Sequence, residues 1–147
     1  MVFVSSEIKK DPRKRWQLSD ELFFSNGACH ILAYTFLEKY PDQGFKAVWI
    51  RPLMGYLGNH IYVANREITF DYTGFQNRSN FSNFYKKKMR KVFYQWDCEE
   101  IELPKDVLIS EKKSRKYDGL WLREPKDFFD DPIPRAKEYL IKYNFTK

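Results

Sequence analysis

The chain has 147 residues, of which 43% are hydrophobic and 18% aromatic, and its formal net charge is +6. That length and aromatic content exclude a disordered chain and describe one domain, 1–147, that can bury a core without disulfide or metal staples. The basic balance favours an acidic partner but is silent on fold and chemistry.

The first fifteen residues are polar and basic, with Lys9-Lys10-Asp11-Pro12-Arg13-Lys14-Arg15, and read as a solvated lead-in. Met1 to Ser6 lacks both the basic and the apolar stretch of a secretory signal, and no later run approaches the roughly 18 apolar residues of a membrane span. The expectation is a cytoplasmic protein with no membrane contact; its small size also suits a delivered effector, a phage or mobile-element protein, or a toxin domain. In that setting Cys29 and Cys98 are expected as free thiols.

Residues 16–24 suggest a short helix, broken by Ser25-Asn26-Gly27. Ala28 to Tyr40 carries a broad apolar face through Ile31, Leu32, Tyr34, Phe36 and Leu37, and Pro41 ends it, so a helix is predicted. Phe45 to Ile50 reads as a strand, and 51–59 is loop, with Pro52, Gly55, Gly58 and Asn59. His60–Ala64 and Glu67–Tyr72 alternate in the manner of a hairpin around Asn65-Arg66. A basic helix over 80–91, a strand over 92–103, a mixed stretch from Pro104 to Arg123 and an amphipathic helix over 134–143 follow. Short turns between the strands predict an antiparallel sheet with segregated helices, the α+β class.

Cys29 is the second residue of the predicted helix. A thiol there feels the positive helix end and the unpaired first-turn N–H groups, which favour the thiolate and could hold an oxyanion. Alone, it reads more readily as a buried structural thiol. A nucleophile needs a base, and the chain has two histidines. His30 lies about 100° around the helix from Cys29, so it reads as a packing residue whose side chain diverges from the sulfur. His60 heads a strand. With Asn65 and Arg66 as the two loop residues, Ala64 pairs with Glu67 and His60 falls opposite Asp71, while Ile61 faces Phe70 and Val63 faces Ile68. A carboxylate at that position would orient the imidazole and leave its second nitrogen as proton acceptor. A one-residue slip would undo this pairing.

Gly27-Ala28-Cys29-His30-Ile31-Leu32-Ala33, Gly58-Asn59-His60-Ile61-Tyr62-Val63 and Phe70-Asp71-Tyr72-Thr73-Gly74 together resemble the papain/transglutaminase-like cysteine superfamily in the order and context of Cys, His and Asp. The resemblance spans about residues 24–75, a third of the chain. It implies a nucleophile helix packed on a small antiparallel sheet, no cofactor, and acyl transfer through a thioester: amide hydrolysis, deamidation or transamidation; the basic surface favours a protein or peptide substrate of acidic character. Cys29 would be the nucleophile, His60 the general base and acid, and Asp71 its orienter. Papain-like members place a Gln upstream of the Cys at the oxyanion hole. Here Asn26 and Gln17 are the candidates.

Two other readings compete. Lys86, Lys87 and Lys88, among Phe81, Phe84, Tyr85, Phe93, Tyr94 and Trp96, could make residues 81–96 a nucleic-acid-binding module, although such a run is more often the solvated face of an amphipathic helix. The other is a papain-like interaction domain without catalysis. Cys98, beside Asp97, Glu99 and Glu100, is expected to be a poor nucleophile. No Cys or His pair has metal-ligand spacing, so no metal is predicted.

Overall fold

The computed structural model describes residues 3–145. Its order is α1 (Ser6–Lys10), α2 (Pro12–Trp16), α3 (Asp20–Ser25), α4 (Cys29–Lys39), β1 (Lys46–Pro52), β2 (His60–Ala64), β3 (Ile68–Asp71), β4 (Gly74–Asn77), α5 (Arg78–Val92), β5 (Cys98–Leu103), α6 (Glu111–Ser114) and α7 (Pro132–Leu140), with 3₁₀ turns at Lys105–Ile109 and Pro125–Asp127. The class is α+β. The five strands form one antiparallel sheet in the order β4-β3-β2-β1-β5.

Strand alternation sorts the core into two layers. Ala47, Trp49, Ile61, Val63 and Phe70 point to one face, where they meet Ile31, Leu32 and Phe36 of α4 and Tyr139 of α7. Val48, Ile50, Tyr62 and Ala64 point to the other, against Phe81, Tyr85 and Met89 of α5 and against Trp96. The central strand β2 is buried along its whole length for this reason. Helix α4 is buried on most of its circumference because it lies between the sheet and α7. Phe36 anchors it, stacked on Phe70 at 4.8 Å and edge-on to Phe45 at 4.8 Å.

Three expectations are corrected here. The lead-in is folded: Ser5 caps α1, Asp11 with Pro12 opens α2, and Arg15 is only 5% exposed. Arg135 of α7 holds this segment in place, donating to Asp20, to the Trp16 carbonyl and to the Leu18 carbonyl at 2.7–2.8 Å. The strand expected from residue 92 starts at Cys98, because Phe93 to Asp97 close helix α5 and turn the chain; β4 was not anticipated.

The third correction is the hairpin register. Val63 pairs with Phe70 and Ala64 with Thr69, a shift of two residues from the expected pairing. Asn65 is the cause. Its backbone N–H donates to Ile68 O, and its Oδ1 accepts from the N–H groups of Glu67 and Ile68, so the corner residues are Arg66 and Glu67. This Asx arrangement needs no positive φ, whereas an Asn-Arg corner would; among the described residues other than glycine only Met54 has one. A two-residue shift preserves side-chain faces, so His60 and Asp71 still share one, now as diagonal neighbours.

The loop before β2 is fixed by its own carbonyls. Trp96 Nε1 donates to Leu57 O at 2.8 Å and the Tyr85 hydroxyl to Gly58 O at 2.7 Å. Gly58 has φ +112, and a Cβ there would sit 2.7 Å from Met89 Cε and 3.2 Å from Trp96 Nε1. Gly58→Ala should therefore cost about 1–3 kcal/mol in urea unfolding. An unchanged midpoint would mean that this turn is not the constraint described.

Candidate active site

Cys29 opens α4, whose N-cap Ala28 supplies no capping side chain, so the first-turn N–H groups are not taken up by one. Gly27, at φ +104, makes the sharp entry to the helix. His60 opens β2 and is 1% exposed; Cys29 is half-buried, at the wall of a cleft of about 330 Å³ that both residues line.

Asp71 Oδ2 accepts from His60 Nε2 at 2.9 Å. Its other oxygen accepts from the Thr73 N–H at 2.9 Å and the Thr73 hydroxyl at 2.5 Å, and Thr73 Oγ1 in turn accepts from Gln76 Nε2. Both carboxylate oxygens are thus occupied and the group cannot swing away. The imidazole is held in its plane by Tyr85, parallel to it at 5.7 Å, and by Tyr72, perpendicular at 5.9 Å. With Nε2 committed to Asp71, Nδ1 is left buried without a hydrogen-bond partner of ordinary geometry. It is the ring nitrogen available to the Cys29 sulfur.

The two groups shift in opposite directions. Burial alone would raise the Cys29 thiol, but polar interactions with His30 and His60, and their charge, outweigh it and bring the thiol from 9.0 to about 5. Burial alone would lower His60, but the hydrogen bond with Asp71, the polar interaction with Cys29 and the charges of both carry it from 6.5 up to about 10. Over neutral pH the pair is a thiolate beside an imidazolium, each the reason the other stays charged in a dry site. Cys98 differs: burial raises it most, Glu100 and Asp97 add to that, and Lys86 and Arg90 oppose them. Both cysteines are free thiols.

His30 was expected to diverge from the sulfur. Instead it lines the same cleft as Cys29 and helps to lower that thiol. Its Nε2–H donates to Arg123 O at 2.8 Å, so a carbonyl from far along the chain aims the ring. Rotation about its own side-chain torsions, which helical spacing does not report, brings it back to its neighbour.

Asn26 is buried, but its Nδ2 donates to Leu22 O at 3.1 Å and Ser25 Oγ at 2.9 Å, which ties that amide group to the end of α3. Gln17 is exposed at the end of α2. Asn59 does line the cleft beside Cys29. Its Oδ1 accepts from Trp49 Nε1 at 2.9 Å, and since an indole nitrogen can only donate, the Asn59 amide nitrogen points the other way, with both hydrogens available as donors. Its position directly before the histidine was the signal that could have found it. The remaining wall, Gly119 to Arg123, comes from the stretch with a mixed sequence pattern. Buried Ser114 shapes it, donating to Glu111 O and accepting from the Leu122 N–H.

In the basic segment, Phe81, Tyr85 and Trp96 are buried, Phe84 and Tyr94 are exposed, and Lys86 lies 3.9 Å from Asp97. Lys87 is exposed and Lys88 half-buried, its ammonium over the Phe84 ring. Among the described residues no cluster of His, Cys, Asp and Glu is placed to hold a metal ion, and no helix is long and apolar enough to cross a membrane.

Iodoacetamide should alkylate Cys29 with a midpoint near pH 5, while Cys98 should require pH above 9.0; His60→Ala should move the Cys29 midpoint upward. Two thiols titrating together would contradict the pairing. Stability should follow the same groups. The thiol contributes fully above 9.0 and its contribution is lost as pH falls toward 5; the imidazole contributes fully below 6.5 and is lost as pH rises through 10. Their sum is greatest between 6.5 and 9.0, so urea midpoints of wild type should fall on both sides of that window, and those of Cys29→Ser should vary less.

No protein-family model matches the chain, and no curated protein or solved structure is significantly similar to it.

Proposed function

We propose that this protein is a thiol-dependent acyl-transfer enzyme whose nucleophile is Cys29, with His60 as general base and acid and Asp71 as its orienter. The observation that carries this reading is the geometry: a half-buried thiol at a helix start shares a cleft with a buried imidazole whose far nitrogen is held by a carboxylate, and the thiol is lowered and the imidazole raised accordingly. A structural thiol has no need of such a partner, and pKa values displaced toward each other's charged form are typical of sites that do chemistry. The arrangement of a helix start, a strand start and the next strand's end also fits the papain/transglutaminase-like core that the sequence resembles. Two free thiols suit a reducing compartment such as the cytoplasm.

The Cys29 thiolate adds to an acyl carbon, and the oxyanion that forms is met by first-turn N–H groups of α4. The imidazolium of His60 gives its Nδ1 proton to the leaving amine, and a thioester remains on Cys29. His60, now neutral, takes a proton from the incoming water or amine as it attacks the thioester; collapse releases the product and returns the sulfur to the thiolate. Water gives hydrolysis or deamidation, and an amine gives transamidation. Asp71 keeps Nε2 protonated throughout, so that Nδ1 alone exchanges the proton.

Screening with peptide amides, read by mass spectrometry and ammonia release, should find turnover that passes through an acyl-Cys29 adduct cleaved by hydroxylamine. Its rate should be bell-shaped in pH, with limbs near 5 and 10. Cys29→Ala should abolish turnover, and Asp71→Asn should lower it by about 10²–10⁴-fold with the fold intact. Turnover that survives in Cys29→Ala would refute the proposal.

A further inference from the structure

A second cavity, of about 270 Å³, adjoins the cleft of Cys29 and shares Ser25, Gly27, Asn59 and Arg123 with it. Three cations line it, Lys9, Arg15 and Arg123, and no carboxylate does. Arg15 is 5% exposed, its Nε is buried without a hydrogen-bond partner, and among the described residues neither Arg15 nor Arg123 forms a salt bridge. Both stand over the Phe128 ring, at 6.0 and 5.7 Å, and both Nη1 atoms lie within 4.0 Å of the point where a Cβ on Gly27 would be. The acids nearest in charge are Asp11 for Arg15 and Asp127 for Arg123; both lie outside the cavity lining.

Burying a guanidinium among its like, with donors left over, is unfavourable unless something accepts those donors. Planar guanidinium groups match the oxygens of a carboxylate or a phosphate, and the hydrogen bonds they then make are among the strongest available to a protein. Phe128 lies beneath both guanidinium carbons, and the absent side chain of Gly27 leaves the space beside them open.

We propose that Arg15 and Arg123, with Lys9 at the rim, bind an anionic oxygen group of the substrate, a carboxylate or a phosphate, alongside the acyl carbon attacked by Cys29. The location beside the nucleophile rests on the function proposed above; the anion site itself does not. The substrate class is thereby narrowed to acyl compounds that carry a negative group.

Matched alkylating probes test this: N-bromoacetyl derivatives of glycine, 4-aminobutyrate and 6-aminohexanoate, their primary amides, and the corresponding aminoalkylphosphonates. At one or more lengths an anionic probe should label Cys29 saturably and at least about tenfold faster than its amide. Carboxylates and phosphonates ranked against each other identify which oxyanion the site prefers. The anionic-to-amide ratio should fall toward one in Arg123→Gln and in Arg15→Lys, which keeps the charge but loses the planar fork. It should be retained in Lys46→Gln, which removes one charge at the far end of β1. Ratios near one at every length, or ratios that ignore both arginine variants, would overturn the proposal. A readout independent of the thiol uses Cys29→Ala: titration with inorganic phosphate and with acetate, followed by the arginine Nε–Hε NMR signals, should shift the Arg15 resonance saturably. An unmoved resonance with both anions would refute the anion site even if Cys29 proved reactive, and a moved one would uphold it even if Cys29 proved inert.

Discussion

A charged sulfur and a charged imidazole share a site from which most water is excluded, and each is stable there only because of the other. Desolvation is the largest influence on both groups and opposes the charged form of both. What reverses it is local: the carboxylate of Asp71 on one side of the ring and the sulfur on the other, with a second histidine against the sulfur. Much of the surrounding architecture maintains this balance. Tyr72 and Tyr85 fix the ring plane, Thr73 occupies the carboxylate oxygen that His60 does not use, and the pinned carbonyls of Leu57 and Gly58 set where β2 begins.

The central part of this arrangement was legible in the sequence because it is written in parity and punctuation. Alternation in 60–64 and 67–72 revealed the hairpin, Pro41 and Gly27 bounded the helix, and the coincidence of His60 and Asp71 on one face followed from any even register. The register differs by two from the pairing that an Asn65-Arg66 corner predicts, because the Asn65 side chain caps the turn from just outside it. That the site survived the error follows from the two-residue period of a strand, which makes faces more robust than pairings.

The parts that were not legible depend on contacts between distant segments. Arg15 sits in a run of lysines and arginines that reads as solvated, and only docking by Arg135 and packing on Phe128 bury it. The wall from Gly119 to Arg123 has no periodic pattern because its shape comes from Ser114 and 3₁₀ turns. His30 was placed by helical spacing alone, which fixes the direction of a Cβ but not where a ring ends up after two torsions.

The hydrogen bond from His30 to the carbonyl of residue 123 bridges 93 positions of sequence. During synthesis the helix bearing the sulfur emerges long before its last electrostatic support is made. Until the segment that carries residue 123 has docked, the ring beside that sulfur lacks its anchor. The electrostatic setting of the sulfur is in this way tied to the docking of a segment remote from it in sequence.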